Sequence, residues 1–200
     1  MILGTALIIG ALSLFLYNRQ QTLQAEQASL NLMPQLLAII EEKEESDAEP
    51  DTYEQPLGTP IEFLDPKAFE MTEVEINGHA YIGYLSIPQL ELDLPVMADW
   101  SYPKLLISPC RYTGSVRGEN LVLMAHNYAS HFGGLSKLSE GDSVIFTDMD
   151  GIVTTYEVKA QDILSPYAVE EMIAGDFDLT LFTCTYGGES RVTVYCDRVS

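Results

Sequence analysis

The chain has 200 residues, and its 30 Asp and Glu residues against 10 Lys and Arg give a formal net charge of −20. Nucleic acid is an improbable partner for so acidic a chain, because its phosphates would be repelled. The three cysteines form no CxxC pair and no Cys/His cluster, which argues against a structural zinc site. The length suits one globular domain with appendages.

The N-terminal segment, residues 1–18, is almost continuously apolar, and the first charged residue is Arg19. The run is at the lower limit of length for crossing a bilayer, and no convincing small-residue cleavage site follows it. We therefore predict an uncleaved, single-pass transmembrane signal-anchor at 1–18. No Lys or Arg precedes the run, so charge does not set its orientation.

Two further segments are predicted before the domain. Residues 19–45 are expected to form an amphipathic stalk helix that packs on the domain or on the membrane surface, although a short partner-binding coiled coil is an alternative. Its apolar stripe is formed by Leu30, Met33, Leu37 and Ile40. Residues 46–70 are acidic and contain several prolines, so we expect a solvated linker.

From residue 71 the pattern changes to short apolar and β-branched runs that predict strands. These runs cover residues 73–76, 80–87, 92–97, 119–125, 143–147, 153–159, 178–183 and 191–196. Asn77-Gly78 and Asp150-Gly151 are typical of hairpin turns, and residues 169–173 suit a short helix. So many short strands predict a mainly β fold, a closed or nearly closed barrel, over residues 71–200.

The stretch that indicates chemistry is TLFTC, residues 180–184, followed by a Gly-Gly turn and Arg191. The pattern places a thiol at the end of one strand and a guanidinium at the start of the next. A thiolate can attack a carbonyl, and a guanidinium can donate hydrogen bonds to the oxyanion that develops. A surface salt bridge is the plainer interpretation of Arg191, but we predict that Cys184 and Arg191 are catalytic.

A thiol needs a neighbouring base, and the sequence offers His126, which follows an apolar strand. His131, five residues later, is the rival and is expected to be a spectator. We also predict that Thr183 and Tyr186, on either side of the thiol, bind substrate, although β propensity alone would explain a threonine there. Cys196 is expected in the core.

The TLxTC…R pattern of Cys184 and Arg191 resembles the signature of sortases, the membrane-anchored cysteine transpeptidases of Gram-positive bacteria. A second stretch, residues 81–97, resembles the G-x-L-x-I-P-x-L…L-P-V segment near the start of sortase domains. The resemblance implies a sortase-type β-barrel on the outer face of the cell membrane. It also implies that His126 is the acid–base residue, although the family commonly has Gly-His where this chain has Ala125-His126.

The implied reaction cleaves an LPxTG-like sorting signal of secreted proteins at Cys184. The acyl group then passes through a thioester to an amine of the peptidoglycan cross-bridge or of a pilin lysine. Two alternatives stay open: a Cys/His peptidase that transfers the acyl group to water, and a catalytically silent β domain used for adhesion or assembly. No metal site or cofactor is predicted.

Two further features of some sortases, a calcium site and a lid, have plainer alternatives in this sequence. Some sortases bind calcium near the loop before the catalytic strand, but a solvated acidic loop is the favoured interpretation; the acidic residues there are Glu170, Glu171, Asp176 and Asp178. Some pilus-building sortases carry a lid with an Asp-Pro-aromatic motif. Here Asp65-Pro66 and Phe69 are separated by two residues, so an ordinary turn is favoured over a lid at 57–70.

Overall fold

A computed structural model of the chain describes residues 2–47, 70–118, 120–174 and 176–199. Apart from their ends, the acidic linker predicted at 46–70 and the lid considered at 57–70 lie outside the described residues.

One long helix precedes a set of short strands. The helices are α1 (Ile2–Asp47), α2 (Tyr102–Leu105) and α3 (Val169–Ile173), with 3₁₀ turns at Pro88–Leu90 and Phe132–Lys137. The strands are β1 (Val74–Ile76), β2 (His79–Ile87), β3 (Leu92–Met97), β4 (Cys110–Thr113), β5 (Leu121–Met124), β6 (Ser143–Asp148), β7 (Val153–Leu164), β8 (Leu179–Cys184) and β9 (Arg191–Arg198).

The sheet closes on itself, which confirms the predicted barrel. The strand order is β1-β2-β3-β4-β5-β8-β9-β7-β6, and β6 also pairs with β2, so eight strands form the ring and β1 lies outside it. Closure depends on Gly83, which pairs with Val96 of β3 and Asp148 of β6. Its φ is 145°, and a Cβ there would collide with the Thr147 carbonyl oxygen, so the crossing requires glycine.

The main hydrophobic core fills the barrel, because alternate residues of each strand point inward. Fully buried side chains from six strands meet there: Leu85, Val96, Leu123, Phe146, Leu181 and Val194. The strands differ from the prediction in two places. β4 is a short strand where none was predicted, and β7 continues to Leu164 after a register shift between Val158 and Ala160.

Helix α1 is continuous through the segments predicted as anchor and stalk. None of the described helices combines the length and the apolarity needed to cross a membrane. The transmembrane anchor predicted at 1–18 is therefore not supported; the apolar run ends at Tyr17 and is followed by Asn18 and Arg19.

The stripe by which α1 packs on the barrel is not the predicted one. Leu32, Leu36 and Ile40 are buried against β1–β3, each contributing roughly 1.5–3 kcal/mol by burial. Of the predicted residues, Ile40 is buried, whereas Leu30 is 66% exposed and Leu37 is 37% exposed. The error arose because both stripes have helical spacing and the sequence does not say which one meets the barrel.

Charged side chains fix the C-terminal half of α1 to the barrel. Lys43 of α1 and Arg117 both form ion pairs with Asp150, which lies in the β6–β7 turn. Arg117 also pairs with Asp148 at 3.3 Å, and this carboxylate is only 1% exposed. Asp148 further accepts hydrogen bonds from the backbone N–H groups of Asp150 and Ile152, so its buried charge is well compensated.

Candidate active site

Cys184 is distinguished from the other two cysteines by its exposure. It ends β8 and is half-buried, whereas Cys110 and Cys196 are buried, and all three thiols are free. Burial raises the pKa of both buried thiols to about 12, which keeps them protonated at neutral pH. Cys184 is therefore the thiol available for chemistry.

Arg191 lies directly opposite Cys184 in the antiparallel β8–β9 pair. Opposed residues of an antiparallel pair project from the same face, so the guanidinium and the thiol share one surface. The Arg191 Nη1 donates hydrogen bonds of 3.1 Å to the carbonyl oxygens of Gly188 and Ser190. These bonds hold the guanidinium beside the β8–β9 turn, and Arg191 makes no ion pair with any residue the structure describes.

His126 lies next to Cys184 on the other side of β8, away from Arg191. Strands β5 and β8 are parallel, with Met124 level with Phe182, so two residues further on His126 is level with Cys184. The Ala125 N–H donates to the Phe182 carbonyl at 3.3 Å and carries the pairing past the end of β5. Burial lowers the pKa of His126, so its imidazole is neutral at neutral pH and can accept a proton.

Three side chains from distant parts of the sequence thus lie level with one another: His126 just after β5, Cys184 at the end of β8 and Arg191 at the start of β9. Neighbouring strands are about 4.8 Å apart, so the row of His126, Cys184 and Arg191 is roughly 10 Å wide. A base, a nucleophile and a fixed cation in that order on one face are what acyl transfer requires.

Thr183 is placed away from this row. It belongs to the inward-facing residues of β8, is 4% exposed, and its hydroxyl donates to the Ala125 carbonyl at 2.8 Å. The predicted substrate contact is therefore not supported, because the hydroxyl is buried on the opposite face of the strand. Its hydrogen bond instead ties β8 to the residue before His126.

Tyr186 lies in the turn after Cys184 and is 92% exposed. Its side chain lines a cleft of about 460 Å³ with Asn18 and Thr22 of α1 and with Asn127 and Tyr128, the two residues that follow His126. These two belong to residues 125–131, the histidine loop, which joins β5 to the next 3₁₀ turn. This position next to the row is compatible with the predicted contact between Tyr186 and substrate.

His131, the rival base, is fully buried. Burial, followed by the nearby His126, lowers the pKa of His131 to about 4. Its ring centroid is 5.6 Å from that of Tyr128, which in turn is 4.9 Å from that of His126. His131 therefore supports the loop from below and has no exposed surface for contact with substrate.

An apolar patch, which the sequence analysis did not identify, lies on the same face of the sheet as Cys184. Val122, Phe182 and Met172 of α3 form its buried centre, with partly buried residues around them: Tyr112, Met124, Leu164 and Val169. Tyr112 contacts the ring of Phe182 edge-on, with centroids 5.5 Å apart. The available signal was the alternation of β8, which puts Phe182 on the face of Cys184, but α3 could not be placed over it from sequence.

The acidic residues considered for calcium are dispersed. Within residues 70–118, 120–174 and 176–199, and in α1, no group of three or more His, Cys, Asp or Glu side chains could hold a metal ion. Asp178 accepts a hydrogen bond of 2.7 Å from the backbone N–H of Arg198. Glu171 and Asp176 line a separate cavity of about 310 Å³ beside α3.

Comparison with known proteins was made on sequence and on fold. A family model described as the sortase domain matches residues 85–199. Sortase C1 of Streptococcus suis is 30% identical with a TM-score of 0.55, over 61% of this chain and 74% of that one. Sortase C1 of Streptococcus agalactiae is 28% identical with a TM-score of 0.56, over 63% and 71%. Clostridium perfringens sortase C is 28% identical with a TM-score of 0.54, over 60% and 71%. No curated protein sequence matches.

The fold and the row of side chains define a β-barrel enzyme with a cysteine nucleophile. With the sortase model covering more than half of its length, the chain belongs to the sortase family, and it is a cysteine transpeptidase. The structures compared above are sortases C, so the likeness extends to that branch of the family.

Proposed function

We propose that this enzyme cleaves an LPxTG-like sorting signal and transfers the new acyl group to an amine of the cell wall or of a pilin. Cys184 attacks the scissile carbonyl, and the Arg191 guanidinium donates to the oxyanion. His126 takes the thiol proton and delivers it to the leaving amine. The thioester is then opened by the acceptor amine.

The single observation that carries this proposal is the row of His126, Cys184 and Arg191 beside an apolar patch. An extended peptide lying over that patch would bury its apolar side chains against the partly exposed Tyr112 and Val169 and bring its next carbonyl to the thiol. Two relatives support the substrate class: Clostridium perfringens sortase C was solved with a C-terminal cell wall sorting motif, and the structure of Streptococcus pneumoniae sortase C addresses pilin substrate specificity.

The proposal includes an extracytoplasmic location at the cell membrane, where secreted proteins and wall amines are available. Cell fractionation, followed by protease treatment of intact cells, tests it. Protection of the barrel from external protease would contradict the location and leave the chemistry to be judged separately.

The reaction is tested with the full chain and a panel of LPxTG-like peptides, with and without an amine nucleophile. We expect mass spectrometry to show an acyl adduct on Cys184 and an amide product whose yield rises with amine concentration. Cys110→Ala serves as the matched thiol control, because that cysteine is free but buried.

The alternatives give different results. Hydrolysis that added amine does not divert would indicate a Cys/His peptidase. Failure of every peptide to form a thioester with the folded protein would contradict the proposal and favour a silent binding domain.

A further inference from the structure

A groove runs between α1 and the barrel, next to the histidine loop. It has a volume of about 590 Å³ and lies between α1 residues 22–37, the segment 90–94 around the start of β3, and the loop residues Ala129 and Ser130. One wall is formed by Leu30, Met33 and Leu37, the part of the predicted stripe that does not pack on the barrel. An apolar helix face is thus left open beside a cavity.

This groove adjoins the catalytic row. Thr22 and Ala129 line both it and the cleft that contains Asn127 and Tyr186. The Ser130 hydroxyl donates to the Thr22 carbonyl of α1 at 3.2 Å, which fixes the helix to the loop where the two cavities meet. A chain lying along α1 would therefore reach His126 and Cys184 by way of the cleft at Asn127 and Tyr186.

The charged side chains that line the groove are all negative. Glu26, Glu91 and Asp93 line it, and no Lys, Arg or His does. A second feature indicates a ligand: Ser29 is 94% buried in this wall, and its hydroxyl has no hydrogen-bond partner within the described structure. A buried hydroxyl without a partner is costly, so a polar group that enters the groove would gain a bond.

We propose that this groove binds the acceptor, a basic peptide segment that carries the attacking primary amine. The inference rests on the proposed function and specifies its second substrate. The carboxylates of Glu26 and Glu91 attract the positive charges of the segment, the leucine wall covers its aliphatic stems, and Ser29 accepts from or donates to its backbone. One amine of the segment extends past Ala129 to the thioester.

The transfer step is balanced at that point. The neutral amine attacks the thioester carbonyl carbon, the new C–N bond forms, and the C–S bond breaks. The amine proton passes through His126 to the sulfur of Cys184, which regenerates the thiol. The acids of the groove bind charges of the acceptor other than the attacking amine, so they do not oppose its deprotonation.

The test compares Glu26→Lys/Glu91→Lys with the matched control Glu41→Lys/Glu42→Lys, which makes the same charge change on exposed residues of α1 outside the groove. The acceptor probes are Gly-Lys-Lys-amide and glycinamide, used at low salt with the full chain and one LPxTG-like peptide. We expect the KM for Gly-Lys-Lys-amide to rise about tenfold in the groove variant and less than about twofold in the control. The KM for glycinamide, which carries a single charge, should change less.

The rate of thioester formation before amine is added separates the two proposals. Normal acylation with an unchanged KM for Gly-Lys-Lys-amide, or an equal rise in the control, overturns the acceptor groove and leaves the proposed function standing. Slower acylation in the groove variant alone would instead assign the groove to the sorting signal. Absence of any thioester in the parent enzyme is the failure of the proposed function itself.

Discussion

Two surfaces adjoin the row of His126, Cys184 and Arg191, and they are built by different means. The apolar patch is made of neighbouring strands and the short helix α3, and its base is part of the sheet. The acidic groove, the one along α1, exists because a long helix docks on the barrel through Leu32, Leu36 and Ile40 and leaves its adjacent face open.

The difference shows how one site can keep two substrates apart. Burial of apolar side chains is not screened by salt, whereas attraction by exposed carboxylates is. High salt should therefore weaken use of the acceptor more than use of the sorting signal.

The largest expected effect is the loss of activity when a residue of the row of His126, Cys184 and Arg191 is replaced. Cys184→Ala should abolish thioester formation, and His126→Ala should lower turnover about 10²–10⁴-fold because the thiol proton has no acceptor. Acyl-enzyme mass spectrometry and steady-state kinetics measure both. The melting temperatures should be close to that of the parent, since both side chains are partly exposed, and near-normal turnover by either variant would refute the role assignment.

His131, buried at the end of the histidine loop, should make the stability of the fold depend on pH. Burial lowers its pKa from 6.5 to about 4, so between these values the unfolded chain binds a proton that the folded chain does not. Stability is thus full above pH 6.5 and falls as the pH is lowered toward 4, by on the order of 3 kcal/mol.

This dependence is measured by urea denaturation of the parent and of His131→Phe, which keeps a ring against Tyr128 but cannot titrate. The variant should lose less stability between pH 7 and pH 4.5 than the parent does. Identical losses in the two proteins would show that other groups, the carboxylates first, account for acid sensitivity.

A smaller effect distinguishes the apolar patch. Val169 of α3 is partly buried against its centre, and Val169→Ser should raise the KM for the sorting peptide about tenfold, because roughly 1.5 kcal/mol of apolar contact is lost. The KM for the acceptor amine should not change. A parallel rise in both constants would mean that the apolar patch and the acidic groove are not independent.

The smallest expected effect concerns the far end of α1. Lys43→Met removes its ion pair with Asp150 and should destabilise the protein by about 1 kcal/mol or less. Lys104→Met is the control, because its partner Asp99 lies nearby in sequence and the pair does not hold α1. We expect a looser helix to impair use of the acceptor and not of the sorting peptide; equal kinetics in both variants would show that this ion pair does not shape the groove.

Most of the barrel could be predicted because its strands and turns have recognisable local sequence patterns. Asn77-Gly78 adopts positive φ angles of 53° and 80°, as a tight hairpin requires, and β8 alternates apolar residues up to Cys184. β4 was missed because its sequence, CRYT, has little apolar alternation. Its pairing with β3 is also confined to one residue pair, Cys110 with Met97. The end of β7 was missed because a register shift interrupts its period.

The candidate site divides in the same way. The residue types of the site could be recognised from sequence, because they depend on neighbours a few residues away: a thiol at a strand end, an arginine at the next strand start and a histidine after an apolar strand. The folded chain was needed to show that β5 lies beside β8, that Thr183 faces inward, and which face of α1 meets the barrel. Those outcomes depend on contacts between segments far apart in the chain, and periodicity within one segment does not encode its partner.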